Sequence, residues 1–233
     1  MSLELKSFDS LGRFDNDWLN ANYHFSFANY YDPERIRVGP LRVWNDDTIR
    51  AGTGFDPHPH RDMEIITYVR SGAITHRDSL GNEGKTRAGD VQVMSAGRGI
   101  VHAEYNLEEE DTTLFQIWIL PRSKGGDPRW ETRQFPRDAG SGQLQALASG
   151  REGVLGAIPI DQDATLFAGT LQAGSRLEQR FEPGRKGYLV AARGSVIVNG
   201  IPMGPRDGLV IRDEALLTID VSEEAELILV DLP

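Results

Sequence analysis

Apolar residues along this chain come in short runs separated by glycine-rich or charged turns. "LRVWN", "MEIITYV", "DVQVMSA" and "TLFQIWIL" are each five to eight residues long and rich in β-branched and aromatic side chains, so they predict strands. Between them lie "RSGAITHRDSLGNEGKTRAGD" and "AGRGIVHAEYNLEEEDTT", full of turn formers, with the acidic "LEEED" reading as a solvated turn. The pattern breaks in the polar, Gly- and Pro-rich "LPRSKGGDPRWETRQFPRDAGSG". It then resumes with "GVLGAIPI", "TLFAGTLQ", "KGYLVAARGSVIVNG", "DGLVIRD", "ALLTIDV" and "AELILVDL"; only "SRLEQRF" could be mistaken for a helical turn. The expectation is an all-β chain of two parts: residues 1–122, a linker at 123–142, and residues 143–233.

A weak internal repeat supports two copies of one unit. "RSGAITHRDSLGNEGKTRAGDVQVMSA" and "ARGSVIVNGIPMGPRDGLVIRDEA" share an order: a Gly turn, a strand, a hairpin turn, a Gly-flanked Asp and an apolar strand. Gly72 to Gly89 spans 17 residues and Gly194 to Gly208 spans 14, so the match is one of architecture. Two stacked small barrels are expected, each covering sheet edges the other leaves open.

Composition narrows the function. With 25 Lys plus Arg against 35 Asp plus Glu, the net charge is −10, and there is no long basic stretch to displace counterions from phosphates. Direct nucleic-acid binding and attachment to acidic membranes are therefore not expected. The absence of cysteine removes disulfides, thiolate catalysis and sulfur-ligated metals. No apolar run approaches the roughly 20 residues of a membrane span, and the N-terminus lacks a signal-peptide pattern, so a cytoplasmic location is expected.

The candidate chemistry lies in two places. In "GFDPHPHRDMEI", His58, His60 and Glu64 fall on even positions, and in an extended chain residues two apart point the same way. Pro59 biases His58 towards extended backbone and, lacking an N–H, places this piece at a strand start or an edge. "SAGRGIVHAEYN" adds His102 and Glu104, again two apart, behind Gly97 and Gly99, which suit a tight turn. Three imidazoles and a carboxylate suit Fe(II), Mn, Ni, Co, Cu or Zn and fit Mg or Ca poorly. Either Glu64 or Glu104 could be the fourth ligand, the other orienting an imidazole. No histidine follows His102, so a metal is expected in the first part only. His76 reads as a surface residue or one behind a ligand, and His24, in an aromatic-dense segment, as part of a wall. Phe55, Met63 and Met94 are candidates for lining the mouth. Gln116 faces either the cavity or solvent.

The stretches "GFDPHPHRDMEIITYVRSGAITHRDSLGN", "MSAGRGIVHAEYN", "LFQIWILP" and "HFSFANYYDP" together resemble the pirin family of the cupin superfamily, in its bacterial quercetin 2,3-dioxygenase-like branch. The resemblance covers essentially the whole chain. It implies a bicupin of two facing β-barrels (the double-stranded β-helix or jelly-roll form), with the metal in the N-terminal one. It also implies His58, His60, His102 and Glu104 as ligands, which assigns Glu104 and not Glu64 to the metal. Ser95 stands where a proline is common in cupins, and two extra residues separate Gly97 from His102; both departures are typical of pirins. The implied cofactor is one divalent transition metal, Fe(II) first, with Mn, Ni, Co, Cu or Zn as alternatives. The implied activity is a metal-dependent dioxygenase opening quercetin-like flavonols or a related small phenolic. Its partners would be an aromatic, oxygen-chelating substrate and dioxygen. Glu104 and then Glu64 are the candidate bases for the substrate hydroxyl. The alternative is a metal-containing regulatory module with a protein partner. A monomer is expected.

Overall fold

A computed structural model of the chain describes residues 2–135 and 142–233. The chain divides into two compact units, one formed by Gly12–Pro136 with Ile158–Gln162, the other by Met1–Leu11, Arg137–Ala157 and Asp163–Pro233. The N-terminal strands are β1 (Leu3–Lys6), β2 (Gly12–Asp15), β3 (Leu19–Tyr23), β4 (Leu41–Ile49), β5 (Gly54–His60) and β6 (Glu64–Ser71). They continue as β7 (Ala73–Asp78), β8 (Glu83–Arg87), β9 (Asp90–Ser95), β10 (Ile100–Tyr105), β11 (Thr112–Ile119) and β12 (Arg129–Gln134). Strand β12 falls inside 123–142, the stretch that reads as a linker; residues 136–141 of that stretch lie outside the described residues. "SRLEQRF" is strand over Arg176–Arg180, with alternating burial.

The first unit holds a seven-stranded sheet in the order β12-β9-β6-β11-β4-β3-β2 and a four-stranded sheet in the order β5-β10-β7-β8, with antiparallel pairing. The second unit repeats this plan. Its seven-stranded sheet begins β1, Gly208–Arg212, Lys186–Arg193, Ala225–Leu232, Thr165–Leu171 and Gln145–Ser149. Its four-stranded sheet runs Arg176–Arg180, Leu216–Val221, Val196–Val198, Ile201–Met203. The repeat legible in the sequence is thus the hairpin β7–β8 followed by β9, and its counterpart Val196–Met203 followed by Gly208–Arg212.

The all-β expectation holds; the expectation of barrels does not. Each sheet runs from one edge strand to another, and none returns to its first strand. The reason is visible in β5. Pro57 and Pro59 have no N–H to donate, so β5 carries a ladder on one side only and ends its sheet against β10. Each unit is therefore two open sheets around a shared core. In the first, Ile49, Val69 and Leu114 of the large sheet pack with Ile74 of the small one. In the second, Leu189, Leu209 and Leu227 pack with Val196, Leu217 and Ile219. Each such fully buried aliphatic side chain contributes about 1.5–3 kcal/mol. Among the described residues no helix is long and apolar enough to cross a membrane.

Candidate metal centre

The glycine turn after β9 sets up the site. Gly97 and Gly99 both have positive φ (47° and 142°), and a Cβ on Gly97 would meet the Gly126 carbonyl oxygen at 2.1 Å. The chain therefore returns as β10, which pairs with β5 on one side and β7 on the other. In that register His102 lies opposite His58 on β5 and Asp78 on β7, and Glu104 lies opposite His76. Between these pairs β5 carries one extra residue, since His102 and Glu104 face His58 and Phe55. Gly54, at the start of β5, is pressed against β10: a Cβ there would lie 2.3 Å from the Glu104 carbonyl oxygen.

This pairing converges three imidazoles. The His58 and His102 rings are 4.5 Å apart, His58 and His60 4.8 Å, and His60 and His102 5.0 Å. Their candidate ligand atoms all lie within 4.8 Å of one another. A second cluster, His76, His102 and Glu104, meets the same limit and shares His102 with the first.

Hydrogen bonds decide which nitrogen is free in two of the three rings. His58 Nδ1 donates to the Asp56 carbonyl oxygen at 2.7 Å, which leaves the lone pair on Nε2. His102 is held through two partners. The Asp78 carboxylate lies 2.9 Å from His76 Nε2, so that nitrogen carries the proton, and His76 Nδ1 then accepts from His102 Nδ1 at 3.4 Å. His102 Nε2 is left buried with no hydrogen-bond partner in the protein. A buried, unpaired lone pair beside two further imidazoles fits a transition-metal ion.

Burial keeps two of the three rings neutral. It is the main cause pushing His60 down to about 4, with His102 and His58 adding repulsion. His102 is likewise held at about 4, chiefly by burial and partly offset by Glu104. At neutral pH both rings keep their lone pairs. His60 also meets Trp118 in a T-shaped contact, ring centres 5.0 Å apart.

Glu104 spans the two sheets of the unit. From β10 its Oε1 accepts Gln92 Nε2 at 2.6 Å and Thr67 Oγ1 at 3.4 Å, and its Oε2 accepts Gln116 Nε2 at 3.0 Å. Burial opposes its charge, but the His102 and His76 imidazoles and the Gln116 and Gln92 amides outweigh that and hold it below the ordinary carboxylate value. Gln116 thus faces inward, and its Oε1 accepts Trp118 Nε1 at 3.0 Å.

The other residues singled out in the sequence fall elsewhere or behind. Glu64 is buried, but its Oε2 accepts Ser95 Oγ at 2.6 Å, and Ser95 in turn receives Arg129 Nε at 3.0 Å. It belongs to neither imidazole cluster, and burial pushes its carboxyl up. Met94 lies in a core cluster with Ile65, Ala96 and Ile100, and Met63 packs against it. His24 is buried near Trp44, ring centres 6.0 Å apart. His76 is fully buried and stacks on Trp130 at 4.9 Å.

A cavity of about 180 Å³ opens beside the centre, with His58, His60, Glu104 and Gln116 in its wall and Phe55 among its aromatic sides. A wider depression of about 550 Å³ borders it across β10, where His102 and Asp78 contribute to the wall. The smaller cavity meets more of the centre and is lined by both imidazoles of β5. Two of its residues, Asn45 and Asp47, escaped the sequence reading. They lie inside "LRVWNDDTI", and nothing in the alternation marks a buried polar residue as distinct from an exposed one. Asp47 is fully enclosed; burial first, then Asp46 and Glu104, push its carboxyl well above the usual range.

Fold and site define an all-β protein of two cupin units with a candidate metal centre in one of them. Residues 5–119 match the family profile described as Pirin, and residues 146–232 match the quercetinase C-terminal cupin domain. A pirin-like protein of Caulobacter vibrioides is 57% identical over 229 residues, covering 98% of this chain and 99% of its own. A quercetin 2,3-dioxygenase of Escherichia coli is 40% identical over 230 residues, 98% of each chain. The solved structure of the bacterial pirin YhhW from Escherichia coli in complex with nickel(II) aligns with a TM-score of 0.94 at 39% identity, covering 99% of each chain. The chain belongs to the pirin family.

Proposed function

We propose that this protein is a metal-dependent dioxygenase acting on quercetin-like flavonols or a related small phenolic, with one divalent transition metal, Fe(II), as its cofactor. The observation that carries this reading is the convergence of His58, His60 and His102 beside an aromatic-walled cavity, with the Nε2 lone pairs of His58 and His102 directed by hydrogen bonds on the far side of each ring. These three imidazoles would hold the metal, and Glu104, which clusters with His102, would complete the set. Bound there, the metal supplies Lewis acidity towards a phenolic oxygen and a redox centre for dioxygen.

The protein's own part is orientation and proton handling. Glu104 Oε1 already accepts two hydrogen bonds and Oε2 only one, so Oε2 keeps a lone pair. Where the substrate displaces that oxygen from the metal, Glu104, ionised by its surroundings, is the group placed to take the substrate hydroxyl proton. Gln116 fixes that oxygen, and Phe55 and Trp118 provide flat apolar contact for an aromatic ring. Glu64 is assigned no step, because its carboxylate is held by Ser95 away from both imidazole clusters.

The test is to load the protein with Fe(II), Mn, Ni, Co or Cu and follow quercetin absorbance together with oxygen uptake. Wild type is expected to consume both with at least one metal, and His60→Ala to consume neither. Full metal occupancy without turnover for every metal would end the reading for that substrate.

A further inference from the structure

Strand β4 places two polar residues against the cavity, each with one acceptor oxygen that no hydrogen bond among the described residues serves. Asn45 and Asp47 are two apart and share one face, while Asp46 between them points the other way and pairs with Arg70. Asn45 is 4% exposed and Asp47 2% exposed. Oδ1 of each is buried, and no donor of the described residues reaches it. Buried acceptors left unserved by the protein are uncommon, and two on one strand beside one cavity form a pattern.

We propose that Asn45 and Asp47 are the specificity-determining residues of this cavity, receiving two hydroxyl groups of a polyphenolic ring. The inference rests on the dioxygenase reading for the substrate's general class and deepens it. Side chains two apart on a strand are separated by about 7 Å, a span that two hydroxyls on one aromatic ring can bridge with a hydrogen bond at each end. A hydroxyl donates to the Asn45 amide oxygen; it donates to the Asp47 carboxyl in either protonation state and can also accept from it when the carboxyl is protonated. A cationic amine is disfavoured because the cavity also borders the seat of a divalent cation. The remaining wall, with Leu19, Phe27, Phe55 and Trp118, suits the ring itself. At about 180 Å³ the cavity is smaller than the roughly 300–1,000 Å³ of sites for drug-sized ligands, so it takes one ring and not three. The two hydroxyls are therefore on the inserted ring, distinct from the oxygens that bind the metal.

The probe is resorcinol, whose 1,3-hydroxyls are too far apart to chelate one ion, compared with 1,3-dimethoxybenzene, which lacks the donors. Binding to zinc-loaded protein is followed by intrinsic tryptophan fluorescence and by calorimetry. Zinc has no redox chemistry, so the result is independent of turnover. Wild type is expected to favour resorcinol by at least about tenfold, and Asn45→Leu and Asp47→Leu each to reduce that ratio by about three- to tenfold, with zinc content unchanged. Asp47→Asn, which keeps an acceptor, is expected to retain most of the preference; if a leucine variant fails to fold, Asn45→Ala or Asp47→Ala takes its place with the same expected loss. Equal binding of the two probes by wild type, or a preference unchanged in every variant, overturns the proposal. Should the preference behave as expected while quercetin is never consumed, the recognition pair stands and the dioxygenase reading falls.

Discussion

Exchanging Asp78 for asparagine should weaken metal binding although Asp78 is not a ligand. In the wild type, Asp78 Oδ1 accepts the backbone N–H groups of Leu80 and Asn82, and Oδ2 accepts both Asn82 Nδ2 and His76 Nε2. Asparagine keeps the first oxygen and puts an NH2 group in place of the second. His76 Nε2 must then become an acceptor, its proton moves to Nδ1, and Nδ1 faces His102 Nδ1 at 3.4 Å. His102 can answer only by carrying its proton on Nε2, the nitrogen proposed to bind the metal. Loss of such an outer partner lowers metal affinity by about 10–100-fold, which corresponds to about 1.4–2.7 kcal/mol. Because His76 is fully buried and stacked on Trp130, it cannot swing away to relieve the conflict. The assay is zinc competition against a chromophoric chelator at pH 7.5, with the melting temperature of the metal-free protein as a control for folding. A dissociation constant within twofold of wild type, in a normally folded variant, would refute the tautomer argument. His76→Ala should show the same loss, with an added stability penalty from the vacated volume.

Three further outcomes follow from the same geometry. Gly54→Ala forces a Cβ to within 2.3 Å of the Glu104 carbonyl oxygen; it should destabilise the protein by about 1–3 kcal/mol in denaturant titration and lower metal affinity by shifting β5. In metal-free protein, His60 and His102 sit at about 4 against an ordinary 6.5, so the unfolded chain takes up protons first as the pH falls. Their contribution to the melting temperature should be unchanged above about pH 6.5, decline between 6.5 and 4, and level off below that; a flat profile across the window would contradict the assignment. In the second unit, Arg185 is buried with its Nε donating to Asp231 Oδ1 at 2.6 Å. Arg185→Met should lower unfolding free energy by about 1–3 kcal/mol, since Asp231 Oδ2 keeps Arg151 at 2.9 Å, while leaving the stoichiometry of bound zinc unchanged because that ion pair lies in the unit without histidine.

Much of the site was legible because metal ligands must be particular residue types at strand spacing. His58 and His60 are two apart, as are His102 and Glu104, and period-two geometry converts that spacing into a shared face. The glycines at 97 and 99 were legible for a similar reason, since both positions need φ values that other residues rarely adopt. Gln116 was left open between cavity and solvent, because strand alternation gives two faces without saying which is inside. Its hydrogen bond to Glu104 settles that. Met63 and Met94 were misplaced towards the mouth for a related reason: apolar side chains suit a cavity wall and a closed core equally, and the packing put them in the core.

By itself, then, the sequence determined the strand-rich class, the two-copy plan and the residues able to bind a metal, because each follows from local periodicity and side-chain chemistry. Tertiary structure decided what depends on which strands become neighbours. Pairing ended the small sheet at the proline-bearing β5, so the sheets stayed open where closed barrels were expected. Register set His102 opposite Asp78 and Glu104 opposite His76, creating a hydrogen-bonded chain that no sequence spacing reveals. It also turned Asn45 and Asp47 inward beside the imidazoles. Ladder pairing joins residues far apart along the chain, and that is why these relations appear only once the strands are assembled.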